Sequence, residues 1–254
     1  MNYTLITGAS SGIGRELALC AARASQPLIL VARNTEALEA VRRETLTAGA
    51  PAVEVLVANL SVPSEVQALI TSIRDRGYSV SELINNAGLG VEGGFASETD
   101  WSRESASIEV NMHALTALMK SLVPAMVAVG AGRVLNIAST AAYMPGPFMA
   151  VYFATKAYVR SLSLALAEEL RGTGVTVTSY APGPTRSGFQ RVAGMGALSD
   201  RFPDAASVAK RAYQAMQNRE LEAVDGFWNR IQVLGVGFMP STVILRLVRR
   251  WMGR

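Results

Sequence analysis

Short apolar runs alternate with stretches of helical periodicity along most of the chain. The runs are nearly continuous rather than alternately polar, which is typical of strands buried on both faces of a parallel sheet. They cover Tyr3–Thr7, Leu28–Ala32, Val53–Ala58, Leu83–Ile84, Arg133–Ala138 and Val175–Tyr180, with a weaker run near Leu221–Val224.

The stretches between these runs have the apolar spacing and the end signals of helices. They cover Ile13–Arg23, Asn34–Ala48, Pro63–Arg76, Trp101–Val129 and Tyr152–Arg171. Asn34 is a suitable N-cap for the second helix, and Pro63 is favoured in the first turn of the third. The alternation predicts an α/β fold, a Rossmann-type doubly wound parallel sheet flanked by helices on both faces. Since no linker or internal repeat interrupts it, we expect a single domain over residues 1–254.

The composition allows a large core and excludes several kinds of site. Half of the 254 residues are hydrophobic and 17% are charged. The single cysteine, Cys20, forbids an intramolecular disulfide, and the single histidine, His113, excludes a histidine-rich metal site. We therefore predict no metal, and a Ser-His-Asp triad would have to use His113.

The chain begins directly with a strand, without the basic and apolar regions of a secretory signal. No uninterrupted apolar run approaches the roughly 20 residues that span a bilayer. The sequence therefore predicts a cytoplasmic protein, with peripheral membrane association left open.

A glycine-rich turn, Thr7-Gly8-Ala9-Ser10-Ser11-Gly12-Ile13-Gly14, joins the first strand to the first helix. Glycines in such a turn permit a tight bend, close approach of the backbone to phosphates, and close packing of the helix on the sheet. The helix N-terminus then offers free N–H groups and a positive dipole end to a pyrophosphate. This context predicts a dinucleotide site, and the alternative is a purely structural turn. The candidate residues are Gly8, Ser10, Ser11, Gly12, Ile13 and Gly14.

The tip of the second predicted strand distinguishes NAD from NADP. An acidic residue there binds a free ribose 2′-hydroxyl, whereas an arginine accepts a 2′-phosphate. The strand ends in Arg33 and Asn34 without an acidic residue, and Arg15 follows the glycine turn. Two guanidinium groups near one phosphate favour NADP(H) by charge and by multidentate donation. The alternative is that both arginines lie on the surface.

Tyr152 and Lys156 are four residues apart at the start of a predicted helix, and so they share one face. A phenol with a pKa near 10 is a poor acid–base catalyst at neutral pH, and a nearby cation lowers that pKa. Ser139 ends the fifth strand, at the edge where α/β sheets place their ligands. Each feature is common by chance. Together, downstream of the glycine turn, they predict a site in which Ser139 holds a substrate oxygen beside Tyr152.

With these motifs the sequence resembles the short-chain dehydrogenase/reductase family. The resemblance also rests on Asn85-Asn86-Ala87-Gly88 after the fourth strand, on Asn111, and on Pro182-Gly183 with Thr185 after the sixth strand. These motifs extend from residue 7 to residue 185 and cover most of the chain. The resemblance implies hydride transfer between a nicotinamide cofactor and a carbonyl or secondary alcohol carbon, without a metal.

The resemblance also implies roles for individual residues. Tyr152 would donate the proton in reduction and accept it in oxidation, and Lys156 would bind the nicotinamide ribose and lower the Tyr152 pKa. Ser139 would orient the carbonyl, and Asn111 would hold a water that links Lys156 to solvent. The implied cofactor contacts further include Asn86, Ala87, Gly88, Pro182, Gly183 and Thr185.

One position departs from the family pattern. An aspartate usually follows the third strand and contacts the adenine, whereas this chain has Asn59 followed by Leu60. An amide keeps an acceptor and adds a donor. We therefore still expect Asn59 and Leu60 to contact the cofactor.

The resemblance does not fix the substrate, but the residues expected near it are mainly apolar. Met144, Phe148, Met149 and Phe189 are the candidate substrate residues, and methionines adapt to varied shapes. Further residues expected to face the substrate are Leu89, Gly90, Ala141, Tyr143, Val192 and Met195. The set predicts a hydrophobic ketone, aldehyde or 3-oxoacyl group, although core packing explains some of these residues equally well.

The residues from Gly226 form an extension, 226–254, that is unusual for a plain Rossmann domain. Pro240 and Ser241 mark a helix start, after which apolar residues recur at helical spacing between arginines. The net charge of +4 is modest, and its excess lies late in the chain, at Arg246, Arg249, Arg250 and Arg254. Three interpretations remain open: a helix that closes the substrate pocket or contacts another subunit, a peripheral membrane contact through 241–252, and a solvated tail.

Two other functions compete with a soluble reductase. One is a non-enzymatic NADP-binding sensor or scaffold on the same fold, against which the complete catalytic set argues. The other is a membrane-docked lipid reductase. A nucleic-acid partner is not expected, because one short basic helix lacks a basic face with interleaved aromatic residues. The resemblance implies a homodimer or homotetramer formed through the helices around Asn111 and Tyr152.

Overall fold

A seven-stranded parallel sheet organises the protein, whose computed structural model describes residues 1–189, 193–194 and 202–252. The strands lie in the order β3-β2-β1-β4-β5-β6-β7 and are all parallel. Their bounds are β1 Asn2–Thr7, β2 Leu28–Ala32, β3 Val53–Val57, β4 Ser79–Asn85, β5 Gly132–Ile137, β6 Val175–Ala181 and β7 Glu222–Val224. Because the strand order reverses between β1 and β4, a crevice forms at their carboxyl ends.

Helices connect these strands and cover both faces of the sheet. Before β6 they are α1 Gly12–Arg23, α2 Thr35–Thr47, α3 Pro63–Asp75, α4 Trp101–Ile108, α5 Leu115–Val129 and α6 Ala150–Glu169. After β6 they are α7 Ala205–Gln217, α8 Phe227–Val236 and α9 Ser241–Trp251. The Rossmann-type doubly wound sheet predicted from the sequence is confirmed.

Neighbouring residues of one strand belong to different halves of the core. Leu5 packs with helices α3, α5 and α6 on one face, and Ile6 packs with α1, α2 and α7 on the other. Both side chains are fully buried, as are Ile29 and Leu30 on β2. The central strands are therefore apolar throughout because each face of the sheet is covered by helices.

Strand β4 is longer than the sequence pattern predicts, because its polar residues are satisfied inside the protein. The buried Glu82 carboxylate accepts hydrogen bonds from Thr4 Oγ1 at 2.9 Å, Gln217 Nε2 at 2.9 Å and Arg133 Nη1 at 3.2 Å. Burial of a charge is tolerated only with such partners. Because these partners are far away in the sequence, the polar residues around Glu82 did not predict a buried strand.

The sequence-based prediction does not include helix α7. Its signal is nonetheless present, because Asp204 accepts a hydrogen bond from the Ser207 N–H as an N-cap. Val208, Ala212 and Met216 then recur every four residues and pack against α1 and the sheet. The capping residue followed by this spacing is a standard helix start.

The predicted long helix, residues 101–129, is continuous but not uniformly α-helical. A π-helical segment, Glu109–Ala114, separates α4 from α5. Among the described residues this is the one helix long and apolar enough to cross a membrane, by length and composition only. Leu118 and Met126 are buried against the sheet, as expected for a core helix of a soluble fold. The helix is therefore weak evidence for a membrane span.

Candidate active site

A cavity of about 860 Å³ opens at the carboxyl edge of the sheet. Its walls include residues within two positions of the ends of β1, β2, β4, β5 and β6, among them Gly8, Arg33, Asn86, Ser139 and Pro182. Parallel strands end at the same edge, so residues distant in sequence meet there. The crevice between β1 and β4 thus brings the glycine turn and the predicted catalytic residues into one space.

The glycine turn has the geometry that a bound pyrophosphate requires. Gly8 and Gly12 have positive φ angles of 65° and 54°, which L side chains rarely adopt. A Cβ on Gly14 would overlap the carbonyl oxygen of Gly8, so only glycine lets α1 approach the strand this closely. Ser11 is the N-cap of α1 but makes no side-chain capping bond. The helix N-terminus therefore faces the cavity with its N–H groups available to an anion.

Asn86 holds the glycine turn in place. Its Nδ2 donates to the Thr7 carbonyl at 2.9 Å and to the Gly8 carbonyl at 3.3 Å. Thr7 Oγ1 in turn accepts from the N–H groups of Asn86 and Ala87, at 3.0 and 3.1 Å. A Cβ on Gly8 would lie 2.8 Å from Asn86 Nδ2. Asn86, Ala87 and Gly88 line the cavity, and Asn86 also fixes the shape of the phosphate-binding turn.

Arg33 and Asn34 line the cavity at the tip of β2, as predicted. Asn34 is the N-cap of α2 and accepts from the Ala37 N–H at 2.9 Å. Arg15 does not line the cavity. Its guanidinium pairs with Glu16 and, at 2.7 Å, with Glu44 of helix α2. Carboxylates outside the cavity hold Arg15, so Arg33 is the arginine of this pair that lines the cavity, and the contact of both arginines with one phosphate stays a prediction.

Asn59 and Leu60 both line the cavity. The Asn59 side-chain oxygen accepts from Ser61 Oγ at 2.8 Å and from the Ser61 N–H at 3.2 Å. The Asn59 backbone N–H donates to Glu65 at 2.7 Å. These bonds fix the loop after β3, so the amide that replaces the usual aspartate has a defined position on the cavity wall.

Ser139 and Tyr152 meet at the carboxyl end of β5. Ser139 Oγ accepts from the Ala141 N–H at 3.1 Å, which caps a short 3-10 helix, Thr140–Tyr143. Desolvation raises the pKa of Tyr152 to about 12, and a hydrogen bond with Ser139 opposes this rise. The phenol is thus neutral at physiological pH and is ready to donate a proton. Burial thus shifts the Tyr152 pKa in the direction opposite to the lowering by Lys156 that the family resemblance implies.

Lys156 lies one turn after Tyr152 on α6 and is buried. Its Nζ donates to the Ile137 carbonyl at 2.8 Å and lies 5.9 Å from the centre of the Tyr152 ring. Burial lowers the pKa of Lys156 to about 8. The ammonium group is therefore held near the phenol, in surroundings where its charge acts strongly.

Asn111 lies in the π-helical segment, which the sequence pattern did not predict. Its Nδ2 donates to the Leu89 carbonyl at 2.8 Å and to Thr155 Oγ1 at 2.9 Å, and its Oδ1 accepts from the Leu89 N–H at 2.9 Å. A Cβ on Gly88 would lie 3.4 Å from both Asn111 Oδ1 and Lys156 Nζ. Asn111 and Lys156 thus flank the same point of the backbone, and the water relay through Asn111 stays a prediction.

The segment after β6 forms a further part of the cavity wall. Pro182, Gly183 and Thr185 line the cavity, and Thr185 Oγ1 donates to the Gly183 carbonyl at 2.9 Å. A Cβ on Gly183 would overlap the side chain of Asn229, which also lines the cavity. No motif in the sequence pointed to Asn229, because its approach to Gly183 depends on how α8 follows the last strand.

Some of the predicted substrate residues line the cavity, and others are not among the described residues that line it. Met144, Met149 and Phe189 line the cavity, as do Leu89 and Ala141. The Phe189 ring lies 5.3 Å from the Tyr152 ring. Val192 and Met195 lie outside the described residues.

Phe148, Tyr143 and Gly90 are not among the described residues that line the cavity, so their contact with a substrate stays a prediction. The Phe148 ring lies near Arg249, and the Tyr143 hydroxyl donates to Glu222 at 2.7 Å, away from the cavity. A Cβ on Gly90 would lie 2.8 Å from the Phe189 ring and 3.0 Å from the Tyr152 ring, so Gly90 packs against residues that line the cavity. Phe148 and Tyr143 have partners on other elements that sequence spacing does not reveal.

Helices α8 and α9 complete the cavity. This role was one of the three interpretations of the extension that the sequence left open. Ile244 and Val248 of α9 are buried in a third apolar cluster with Met149 and Phe153. The described residues of the extension that line the cavity are Asn229, Ile231, Gln232, Gly235, Val236, Met239, Ile244, Leu247, Val248 and Trp251. The extension therefore forms one wall of the cavity rather than a solvated tail.

The residues present fit a nicotinamide dinucleotide. The left-handed glycines and the uncapped N-terminus of α1 suit a pyrophosphate. The cavity continues from there past Asn86 to Ser139, Tyr152 and Lys156, so a dinucleotide lying along the edge would end beside the phenol. A carbonyl placed there would meet two hydroxyl groups and a cation, which is a site for proton transfer.

Comparisons with known proteins agree with this site. Residues 2–195 match the model of the short chain dehydrogenase family. A sulfoacetaldehyde reductase from Chromohalobacter salexigens is 36% identical over 198 residues, 77% of this chain and 78% of that protein. The chain belongs to the short-chain dehydrogenase family and is an oxidoreductase that acts on carbonyl or alcohol groups.

Two solved structures are similar over nearly the whole chain. A short-chain dehydrogenase from Sphingobium yanoikuyae in complex with NADPH has a TM-score of 0.84 and 33% identity, covering 92% of each chain. A bulky-bulky ketone specific alcohol dehydrogenase from Comamonas testosteroni has a TM-score of 0.79 and 28% identity, covering 94% of each chain. Both the sequence comparison and the structural comparison therefore support the assignment to this family.

Proposed function

We propose that the protein is an NADPH-dependent oxidoreductase that interconverts a hydrophobic carbonyl compound and its alcohol in the cytoplasm. The observation that carries the proposal is the convergence of Ser139, Tyr152 and Lys156 on the cavity that also contains the glycine turn. NADP(H) would supply or accept the hydride when bound. The residues of the chain then have to bind the carbonyl, orient it and transfer one proton.

In the reductive direction Tyr152 donates its hydroxyl proton to the substrate oxygen. The raised pKa keeps this proton on the phenol until the oxygen gains negative charge. Ser139 holds the same oxygen from the side, and Lys156 stabilises the phenolate that the transfer leaves. We expect Asn111 to support a water between Lys156 and solvent, because Asn111 and Lys156 both flank Gly88. In oxidation the proton moves in the opposite direction.

The preference for NADPH rests on Arg33 and on the absence of a carboxylate at the tip of β2. Arg33 lines the cavity there, whereas an NAD-preferring site places an acidic residue on the ribose hydroxyls. The solved relative from Sphingobium yanoikuyae, in complex with NADPH, supports the same assignment.

The substrate proposal rests on the apolar lining of the cavity. Among the described residues that line it, only Arg33 and Lys156 carry a charge, and Lys156 is engaged beside Tyr152. Met144, Met149 and Phe189 face the space next to the phenol. The relatives are named for different substrates, sulfoacetaldehyde and bulky ketones. Because the described lining offers no further cation to an anionic group, the bulky neutral carbonyl is favoured.

The test begins with fluorescence titration of the protein with NADPH and with NADH. We expect tighter binding of NADPH, and we expect Arg33→Ala to weaken NADPH binding roughly tenfold or more while leaving NADH binding nearly unchanged. Arg15→Ala is the matched control, because Arg15 pairs with Glu44 outside the cavity. Equal affinity for both nucleotides would contradict the NADPH assignment. Absence of binding of both nucleotides would overturn the proposed function as a whole.

A second experiment addresses the reaction. Neutral ketones and aldehydes of increasing size are compared with sulfoacetaldehyde as oxidants of NADPH, and Tyr152→Phe serves as the inactive control. We expect the larger apolar carbonyls to have the higher kcat/KM. Preference for the sulfonate would overturn the substrate proposal and leave the cofactor proposal intact.

A further inference from the structure

Helix α8 exposes an apolar stripe that a soluble protein would normally bury. Phe227, Ile231 and Leu234 recur at i, i+4 and i+7, and Phe238 continues the spacing just beyond the helix. None of the ten residues of α8 is buried. Phe238 is 90% exposed and Trp228, on the flank of the stripe, 78%. An amphipathic helix usually turns its stripe to the core, so this one lacks its partner among the described residues.

Helix α9 adds a second apolar surface beside the first. It is anchored by the buried Ile244 and Val248, while Val243, Leu247 and Trp251 remain 40–58% exposed. Arg246 and Arg250 are exposed on the same helix. A helix with a large apolar arc and interleaved arginines has the composition of helices that lie in a membrane interface.

The net positive charge of the chain comes from this extension. Residues 226–254 contain five of the 24 basic residues and none of the 20 acidic ones. The net charge of +4 therefore becomes −1 for the remaining 225 residues. An extension without acidic residues, with arginines and with exposed tryptophans and phenylalanines, complements a bilayer with anionic headgroups, because both its apolar and its charged parts then find partners.

We propose that the extension, residues 226–252, docks the protein on an anionic lipid bilayer. The exposed stripe of α8 enters the interface, and the arginines of α9 contact the headgroups. A second copy of the chain fits the same face less well, because a two-fold contact would bring two acid-free, arginine-rich surfaces together. This proposal does not depend on the reductase activity.

Docking would also place the mouth of the cavity at the lipid surface. Ile231, Leu247 and Trp251 line the cavity and are at the same time 45–58% exposed, so they form its rim. An apolar carbonyl dissolved in the bilayer would enter the cavity without crossing water. This consequence rests on the proposed function, whereas the docking itself is measured without nucleotide or substrate.

The test is flotation of the purified full-length protein with vesicles. Vesicles of phosphatidylcholine alone are compared with vesicles that contain roughly one-third phosphatidylglycerol, at about 0.05 M and about 0.5 M salt. We expect binding to the anionic vesicles at low salt and marked weakening at high salt. Wild-type protein that does not float with anionic vesicles overturns the proposal.

Paired variants test the surface itself. Trp228→Ser with Phe238→Ser removes one tryptophan and one phenylalanine from the extension, and Trp101→Ser with Phe95→Ser removes an equivalent pair, each 70% exposed, elsewhere. We expect the first pair to lower vesicle binding roughly tenfold or more and the second to leave it unchanged. Equal losses in both pairs, or no loss in the first, contradict the proposal.

A charge variant and a mass measurement complete the test. Arg246→Gln with Arg250→Gln should weaken binding at low salt by roughly 25-fold, about fivefold per arginine. None of the altered residues lines the cavity, so nucleotide binding should persist and report correct folding. If Trp228→Ser with Phe238→Ser instead lowers the particle mass in light scattering while the wild type ignores vesicles, the face joins copies of the chain and the proposal is wrong.

Discussion

Replacing Lys156 by methionine should stabilise the protein while it removes catalysis. Burial lowers the pKa of Lys156 from 10.5 to about 8, which corresponds to about 3 kcal/mol of unfavourable charge burial at neutral pH. Methionine has a similar length and no charge. The Ile137 carbonyl loses its donor in the variant, at a cost of about 1–2 kcal/mol. The net gain is therefore about 1–2 kcal/mol, or about 2–8 °C in Tm.

The gain should depend on pH in a defined direction. Between pH 8 and 10.5 the unfolded chain holds a proton on Lys156 that the folded protein has released, so the stability of the wild type rises with pH. Below pH 8 both states are protonated and the full cost of burial remains. The variant has no such dependence. Its advantage should be largest at or below pH 7 and should shrink as pH approaches 10.5.

Thermal unfolding without added nucleotide, at about pH 7 and about pH 10, measures this difference. Lys120→Met is the control, because Lys120 is exposed on α5 and its loss should change stability by less than about 0.5 kcal/mol. A Lys156→Met protein that is less stable than the wild type at neutral pH would refute the reasoning. A gain that does not vary with pH would mean that better packing, not removal of a buried charge, is its cause.

The remaining predictions concern catalysis, the glycine turn and the buried carboxylate. Reduction should be constant below pH 8 and fall toward tenfold per pH unit above it as Lys156 loses its proton, measured as kcat/KM on the best carbonyl substrate. Gly14→Ala should weaken NADPH binding by roughly tenfold or more, because the new Cβ overlaps the Gly8 carbonyl. Arg133→Met should destabilise by about 2–4 kcal/mol in urea unfolding, because it removes a cation from the buried Glu82.

Each of these has a matched comparison. A pH profile that stays flat to pH 10 would contradict the role of Lys156. Gly94→Ala, where a Cβ makes only ordinary contacts, should leave nucleotide binding unchanged, and a similar loss there would remove the steric argument for the turn. Arg74→Met breaks an exposed pair with Asp75 and should cost less than about 0.5 kcal/mol. If Arg133→Met lowers the free energy of unfolding no more than Arg74→Met does, the pair of Arg133 and Glu82 does not stabilise the protein as a buried ion pair.

The strands, most helices and the catalytic pair could be predicted because each depends on near neighbours in the chain. A continuous apolar run marks a strand covered on both faces, and an interval of four residues sets Tyr152 and Lys156 on one side of α6. The glycines of the turn are equally local, since their φ angles and the overlap at Gly14 arise within one strand-turn-helix unit. The family motifs extended this reading to Ser139 and Asn111.

The tertiary structure alone decided which side chains reach the cavity. Arg33 lines it and Arg15 does not, because Glu44 on the neighbouring helix binds Arg15. Tyr143 is turned away by Glu222, which lies 79 residues later in the chain. Contacts of this kind depend on how helices and strands pack, and spacing along the sequence does not encode them.

The position of the extension likewise depends on packing that the sequence does not encode. Its sequence determined that residues 226–254 are apolar, basic and free of acidic residues, and that a helix begins near Ser241. Packing on Met149 and Phe153 decided that α9 forms a wall of the cavity. It also decided that the apolar stripe of α8 faces outward, because an amphipathic sequence fixes which residues share a face but not what that face meets.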